Sequence, residues 1–68
     1  MEEEKLRLKK LIEHWIEHND DHSERFKESA KRLSEINIQS SADELNAAVE
    51  ASGKVSEHLR LALEKWEI

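Results

Sequence analysis

Apolar side chains recur in steps of three and four along most of this 68-residue sequence, which contains no proline and a single glycine. In the first half one heptad position holds Ile12, Asn19, Phe26 and Leu33, and the other holds Leu8, Trp15, His22, Ser29 and Ile36. Such spacing places these side chains along one face of an α-helix. The pattern therefore predicts an all-α protein that begins with a helix over residues 3–36.

The segment Asn19-Asp20-Asp21 leaves a second interpretation of this first half open. Asn and Asp are poor residues for a helix interior, but Asn19 suits an N-cap and the two acids suit a first turn. The preserved heptad phase favours one continuous or kinked helix, whereas local propensity favours a break near residues 19–21. The first half forms either one long helix or two shorter ones.

A turn at residues 37–40 is predicted next. Asn37 can take the left-handed conformation that ends a helix, with Ile38 folding back on Leu33. Ser41 and Glu44 have the spacing of a capping box and predict a helix over residues 41–67. Its apolar series is Leu45, Ala48, Ser52, Val55, Leu59, Ala62 and Trp66.

The expected architecture is a small antiparallel helical bundle, because a short turn makes its flanking helices neighbours. Residues 1–68 form one domain. Val49, Ala51 and Leu63 broaden the apolar stripe of the last helix beyond what one neighbour can cover. We therefore expect at least three helices in the core. Either the first helix breaks to give a three-helix bundle, or two hairpins form a homodimeric four-helix bundle. Of the two, the homodimer is expected.

Composition excludes several partners. The net charge of −5 argues against nucleic acid, and the mixed charges that make up 40% of the chain suit solvated helix faces. No stretch approaches the ~18 apolar residues of a membrane-spanning helix, and no signal-peptide pattern opens the chain. We expect a soluble cytoplasmic protein with no membrane partner. The absence of cysteine excludes disulfides and thiolate ligands.

Three of the four histidines follow one another at four-residue steps, and their side chains would form a ridge on a helix. They are His14, His18 and His22, with His22 in the predicted seam. Folding the chain at the predicted turn brings His58 roughly level with His18. The spacing therefore predicts one histidine-rich region drawn from both helices.

Neutral imidazole binds nickel, zinc, cobalt and copper, and residues four apart on a helix can chelate one ion. We predict a divalent-metal site with His18, His22 and His58 as ligands, and with His14 or Asp21 as a fourth. The predicted function is that of a small helical binding protein that takes up such a metal.

The alternative is a structural interaction module that self-associates or docks to a partner helix. In that case Asn19 and His22 form a polar layer that fixes the register of the core. No enzyme is expected in either case, because Glu-x-x-His, His-Glu-x-x-His and phosphate-binding glycine loops are all missing from the sequence.

The motif Trp15-x-x-His18-Asn19-x-x-His22 resembles the centre of small prokaryotic helical domains associated with nickel- or cobalt-handling proteins. The resemblance covers roughly the first half of the chain. It implies a helical domain and nickel as the metal.

Overall fold

Two long helices form an antiparallel hairpin in the computed structural model, which describes residues 2–66. Helix α1 spans Glu2–Glu35 and helix α2 spans Gln39–Trp66. The hairpin is long and flat, with principal extents of 53, 16 and 10 Å. Within residues 2–66 no strand is present, and neither helix combines the length with the hydropathy that a membrane span requires. The predicted all-α fold is confirmed.

Helix α1 runs without interruption through the Asn19-Asp20-Asp21 segment. The alternative with a break near residues 19–21, and with it the three-helix bundle of a single chain, is wrong. Asn and Asp disfavour helices when their side chains compete for their own backbone. Here the Asn19 amide and the Asp20 carboxylate bind side chains and backbone of α2 instead. That competition is removed, and the helix continues.

The turn is built on Asn37, whose φ of 64° lies in the left-handed region as predicted. The Ile38 amide donates to the Leu33 carbonyl oxygen at 2.8 Å, and the Asn37 amide donates to the Ser34 carbonyl oxygen at 3.1 Å. These two bonds satisfy carbonyl groups at the end of α1 and define a Schellman motif.

The start of α2 differs from the prediction. The helix begins at Gln39, and the Ala42 amide already donates to the Ile38 carbonyl oxygen at 3.1 Å. Ser41 therefore lies inside the first turn and is not the N-cap of a capping box with Glu44. The tight Schellman turn leaves no room for a four-residue connection. The predicted end of this helix at residue 67 lies outside the described residues.

The two helices pack through heptad columns with continuous three- and four-residue spacing. The buried or half-buried members on α1 are Ile12, Ile16, Asn19, Ser23, Phe26, Ala30 and Leu33. On α2 they are Ala42, Leu45, Val49, Ser52, Ser56, Leu59, Leu63 and Trp66. The fully buried residues of the described chain are all small, namely Ala30, Ala42, Ser52 and Ser56. Small side chains at the seam allow the two backbones to approach closely.

One of the two predicted seam columns of α1 is wrong. Leu8, Trp15 and Ile36 are 42%, 47% and 46% exposed, and His22 and Ser29 of the same column are exposed as well. Ile16, Ser23 and Ala30 take their place. Val55 and Ala62 of the predicted α2 seam are likewise exposed, Val55 to 50%. Each helix has three adjacent apolar columns, and one neighbouring helix can cover only two of them.

Gly53 provides a test of the helical assignment of α2. It is exposed, and a Cβ added there would meet nothing within 4 Å. We expect Gly53→Ala to raise the free energy of unfolding by about 0.5–1 kcal/mol, because alanine loses less backbone freedom on folding. Urea denaturation measures the change. The control is the reverse replacement at a nearby exposed site, Ala51→Gly, which should lower stability by a similar amount. A destabilised Gly53→Ala protein would contradict a regular, open helix at this point.

Candidate interaction surface and histidine column

A polar cluster joins the two helices near their middle, and it consists of Asn19, Asp20, Ser52, Ser56 and Arg60. The Asn19 amide donates to the Ser52 carbonyl oxygen and to the Ser56 hydroxyl, both at 2.8 Å. The Ser56 hydroxyl donates to Asp20 Oδ1 at 2.6 Å, and the Arg60 guanidinium donates to Asp20 Oδ2 at 2.6 Å. The Ser52 hydroxyl donates to the Asn19 carbonyl oxygen at 3.4 Å.

No buried polar atom of this cluster is unpaired, since every buried side-chain nitrogen or oxygen in residues 2–66 has a hydrogen-bond partner. Asn19 does lie in a polar layer, as predicted. The predicted partner, His22, is wrong: Ser52 and Ser56 of α2 fill that role. They could have been identified from the sequence, because they stand four residues apart on the stretch of α2 that the turn brings opposite Asn19.

The pKa of the Asp20 carboxyl lies below its ordinary value. The hydrogen bond from the Ser56 hydroxyl is the main cause, followed by the hydrogen bond from Arg60 and by the positive charge of Arg60. Each of these interactions favours the ionised carboxylate. The cluster therefore has an ion pair, Asp20 with Arg60, at its exposed edge, and neutral hydrogen bonds between Asn19, Ser52 and Ser56 in its interior.

The flat hairpin has two broad faces of different character. Asp20 and Arg60 pair on one face, and Ser34 donates to Gln39 on the same face at 2.8 Å. A shallow groove there is lined largely by polar residues, among them Lys27 and Lys31. We call this the polar face.

The opposite broad face collects the third apolar column of each helix, because equivalent columns of an antiparallel pair lie on the same side. We call it the apolar face. Its members on α1 are Leu8, Trp15, His22, Ser29 and Ile36, and on α2 they are Ala48, Val55 and Ala62. The large side chains of this surface are exposed and have no neighbour within the hairpin that covers them.

His14, His18 and His22 form a histidine column along α1, as the sequence predicted. The rings of His18 and His22 stack with centroids 4.5 Å apart, and those of His14 and His18 meet edge to face at 5.7 Å. The Phe26 ring continues the stack, 6.1 Å from His22. The three imidazoles lie together on an exposed groove of one helix.

Acidic and basic groups share this groove. Glu17 and Asp21 line it beside the histidine column, and Arg25 lines it at one end. The carboxylates favour a cation there and the guanidinium opposes one. All the residues that line the groove belong to α1.

His58 does not join the histidine column. It is exposed on α2 and is not among the residues that line the groove. Across residues 2–66 no three histidine, aspartate or glutamate side chains come together in a group that could hold a metal ion. The three-ligand set of His18, His22 and His58 is therefore not assembled within the described chain. Metal binding by His14, His18, His22 or Asp21 stays a prediction.

Sequence comparison places residues 8–66 in the family described as Domain of unknown function (DUF8180), so the chain belongs to this family. The matched range includes most of α1, all of α2 and the whole polar cluster. Comparisons with curated proteins and with solved structures gave no match.

The polar cluster predicts a specific loss of stability. Asn19→Ala removes two hydrogen bonds that the amide donates to α2, and we expect the free energy of unfolding to fall by about 1–3 kcal/mol. Asn46→Ala, at an exposed position of the polar face, is the matched control and should change it by less than about 0.5 kcal/mol. Chemical denaturation measures both. Equal effects of the two replacements would contradict a structural role for Asn19.

Asp20 predicts a pH dependence. Because its pKa is lowered from the ordinary 3.8, ionised Asp20 stabilises the fold above that pH, and the contribution is lost as pH falls through the lowered value. We expect the stability difference between the native protein and Asp20→Asn to be largest near neutral pH and to shrink below about pH 4. Arg60→Gln should reduce this pH dependence only in part, because the Ser56 hydroxyl remains. A stability difference between the native protein and Asp20→Asn that stays constant from pH 3 to pH 7 would contradict the lowered pKa of Asp20.

Proposed function

We propose that this protein is a helical interaction module that self-associates through its apolar face, so that two hairpins form a four-helix bundle. The observation that carries the proposal is the exposed third apolar column of α1. Leu8, Trp15 and Ile36 occupy it and are each more than two-fifths exposed. Val55, on the same face of α2, is half exposed.

The hairpin has little hydrophobic interior of its own. Its buried residues are two alanines and two serines, with exposures between 1% and 7%, and no large apolar side chain is buried among the described residues. Chains of this length need either a well-filled core or an additional support such as a disulfide, a metal or association. Disulfides are impossible without cysteine. Covering the apolar face with a second hairpin supplies the missing burial.

The dimensions of the hairpin suit a dimer. Each broad face extends over 53 by 16 Å, so a second hairpin of the same dimensions can lie along it over its whole length. The polar face is charged and hydrogen-bonded, with Leu6 as its exposed large apolar side chain, so the apolar face, which exposes four such side chains, favours association more. One self-complementary face binds the same face of a second copy across a twofold axis. No further copy can add to that face, so the assembly is a closed dimer.

The column pattern supports the same arrangement. A helix with one neighbour needs two apolar columns, whereas a helix in a four-helix bundle contacts two neighbours and uses three. Helix α1 has a third column at Leu8, Trp15 and Ile36, and α2 has one at Ala48, Val55 and Ala62. The broad apolar stripe predicted on residues 45–66 also supports it, with its columns divided differently: Val49 and Leu63 lie in the seam, and Ala48, Val55 and Ala62 form the third column.

Metal uptake through the histidine column is the second candidate function. The stacked rings of His18 and His22 beside Glu17 and Asp21 favour it, and nickel, zinc, cobalt and copper suit these ligands. The positive charge of Arg25 in the same groove weakens it. The two functions predict different changes in thermal stability. A metal-binding protein is stabilised by metal and loses this stabilisation with chelator, whereas the stability of an interaction module depends on its own concentration or on a partner.

Self-association predicts a concentration-dependent mass. At micromolar concentration and in the presence of chelator, light scattering should report about twice the chain mass of 8.0 kDa. Val55→Glu places a charge in the proposed interface and should weaken the dimer roughly tenfold or more, because a buried unpaired carboxylate is strongly unfavourable.

Leu61→Glu is the matched control. Leu61 is 38% exposed on the same helix but lies outside both the seam and the apolar face, so its replacement should leave the dimer unchanged. Circular dichroism establishes that both variants keep their helices. A native protein that stays monomeric across this range, or equal weakening by the two variants, would reject association through the apolar face.

A further inference from the structure

We propose that a second copy of this chain completes a tetrahedral zinc site at the histidine column. His18 and His22 of each chain are the four ligands. The inference rests on the proposed self-association. His58 is exposed on α2 and is not a ligand of this site. Its place is taken by His18 and His22 of the second chain.

His22 occupies a position that requires a partner once the apolar face is covered. It stands in the exposed α1 column midway between Trp15 and Ser29, seven residues from each. An imidazole that is buried in an apolar contact without a hydrogen bond or a metal bond is unfavourable. Trp15 and His22 lie on the same face, so a contact that covers the indole also removes water from the imidazole.

A twofold axis at the level of His22 makes the α1 columns complementary. It places Leu8 opposite Ile36 of the second copy and Trp15 opposite Ser29 of the second copy, so that a large side chain faces a small one. It also places His22 opposite its own copy. Packed helices lie about 8–10 Å apart, a distance that two imidazoles bound to one ion can span.

The number of ligands also indicates a shared site. His18 and His22 lie one helical turn apart with stacked rings whose centroids are 4.5 Å apart, close enough for one ion to bind both once the rings turn their nitrogens toward it. No third histidine or carboxylate of residues 2–66 completes a group with them. Two copies supply four imidazole nitrogens, the number that tetrahedral zinc takes in closed sites. Both side chains are exposed, so their rings are free to rotate until the nitrogens converge.

The net negative charge around His18 and His22 favours a divalent cation. Glu17 and Asp21 line the same groove and carry two negative charges per chain, against one positive charge from Arg25. Ligating histidines are commonly oriented by carboxylates that accept a hydrogen bond from the second ring nitrogen. Glu17 and Asp21 are placed beside the column for that role.

The test is a zinc titration of the chelator-stripped full chain at pH 7.5, followed by calorimetry and sedimentation. We expect saturable binding at micromolar zinc with one ion for two chains, a higher melting temperature, and a dimer dissociation constant lowered roughly tenfold or more. His22→Gln and His18→Gln should each weaken zinc binding by about tenfold or more. His14→Gln and His58→Gln are the matched controls and should bind zinc as the native chain does.

Several outcomes would overturn the shared site. One zinc per chain with equal losses in His14→Gln and His18→Gln would show chelation by a single helix. Loss of binding in His58→Gln, or no saturable binding at micromolar zinc, would also reject it. The chelated state tests the proposed function separately. A protein that is monomeric in chelator and dimerises with zinc supports the shared site and contradicts association by the apolar face alone. A dimer that forms without metal and does not bind zinc supports association by the apolar face and contradicts the shared site.

Discussion

The hydrogen bonds that Asn19 donates across the hairpin determine how the rest of the structure is arranged. Its amide has two acceptors on α2, the Ser52 carbonyl oxygen and the Ser56 hydroxyl. Sliding α2 by one heptad in either direction would set Asn19 against Val49 or Leu63 in place of Ser56, and the half-buried amide would lose its hydroxyl acceptor, which is costly. The polar cluster therefore reinforces the register that the tight turn sets and disfavours shifted pairings, as single polar residues do in coiled coils.

The same bonds determine which columns of α1 are covered. With Asn19 facing Ser52 and Ser56, the small residues Ser23 and Ala30 come into the seam and the two backbones approach closely. Trp15 and its column are rotated away from α2 and remain exposed. A network of a few hydrogen bonds thus gives the hairpin one apolar and one polar broad face, and the apolar face is the basis of the proposed assembly.

The sequence predicted much of this fold because the decisive signals are local. Helix periodicity, the left-handed Asn37 and the histidine column each depend on residues a few positions apart. The Trp15 column was expected in the seam from its heptad spacing with Ile12, and this was wrong. The seam takes Ile16, Ser23 and Ala30 instead, and the small Ser23 and Ala30 let the helices approach closely enough for Asn19 to bond Ser52 and Ser56. His58 was expected beside His18 because the fold brings it level along the axis, but rotation about the axis of α2 turns it outward. Such rotations are set by contacts between distant segments, which the spacing of one helix does not encode.

The most direct test of the account is the exposure of Trp15 as a function of protein concentration. The chain has two tryptophans, and Trp66→Phe leaves Trp15 as the sole indole. Acrylamide quenching should then be strong in dilute protein, where the hairpin leaves Trp15 47% exposed. It should weaken, with a blue shift of emission, over the concentrations at which the mass doubles. A Trp15 that is already protected in the monomer would contradict the register, and one that stays fully quenchable in the dimer would contradict the apolar face as its interface.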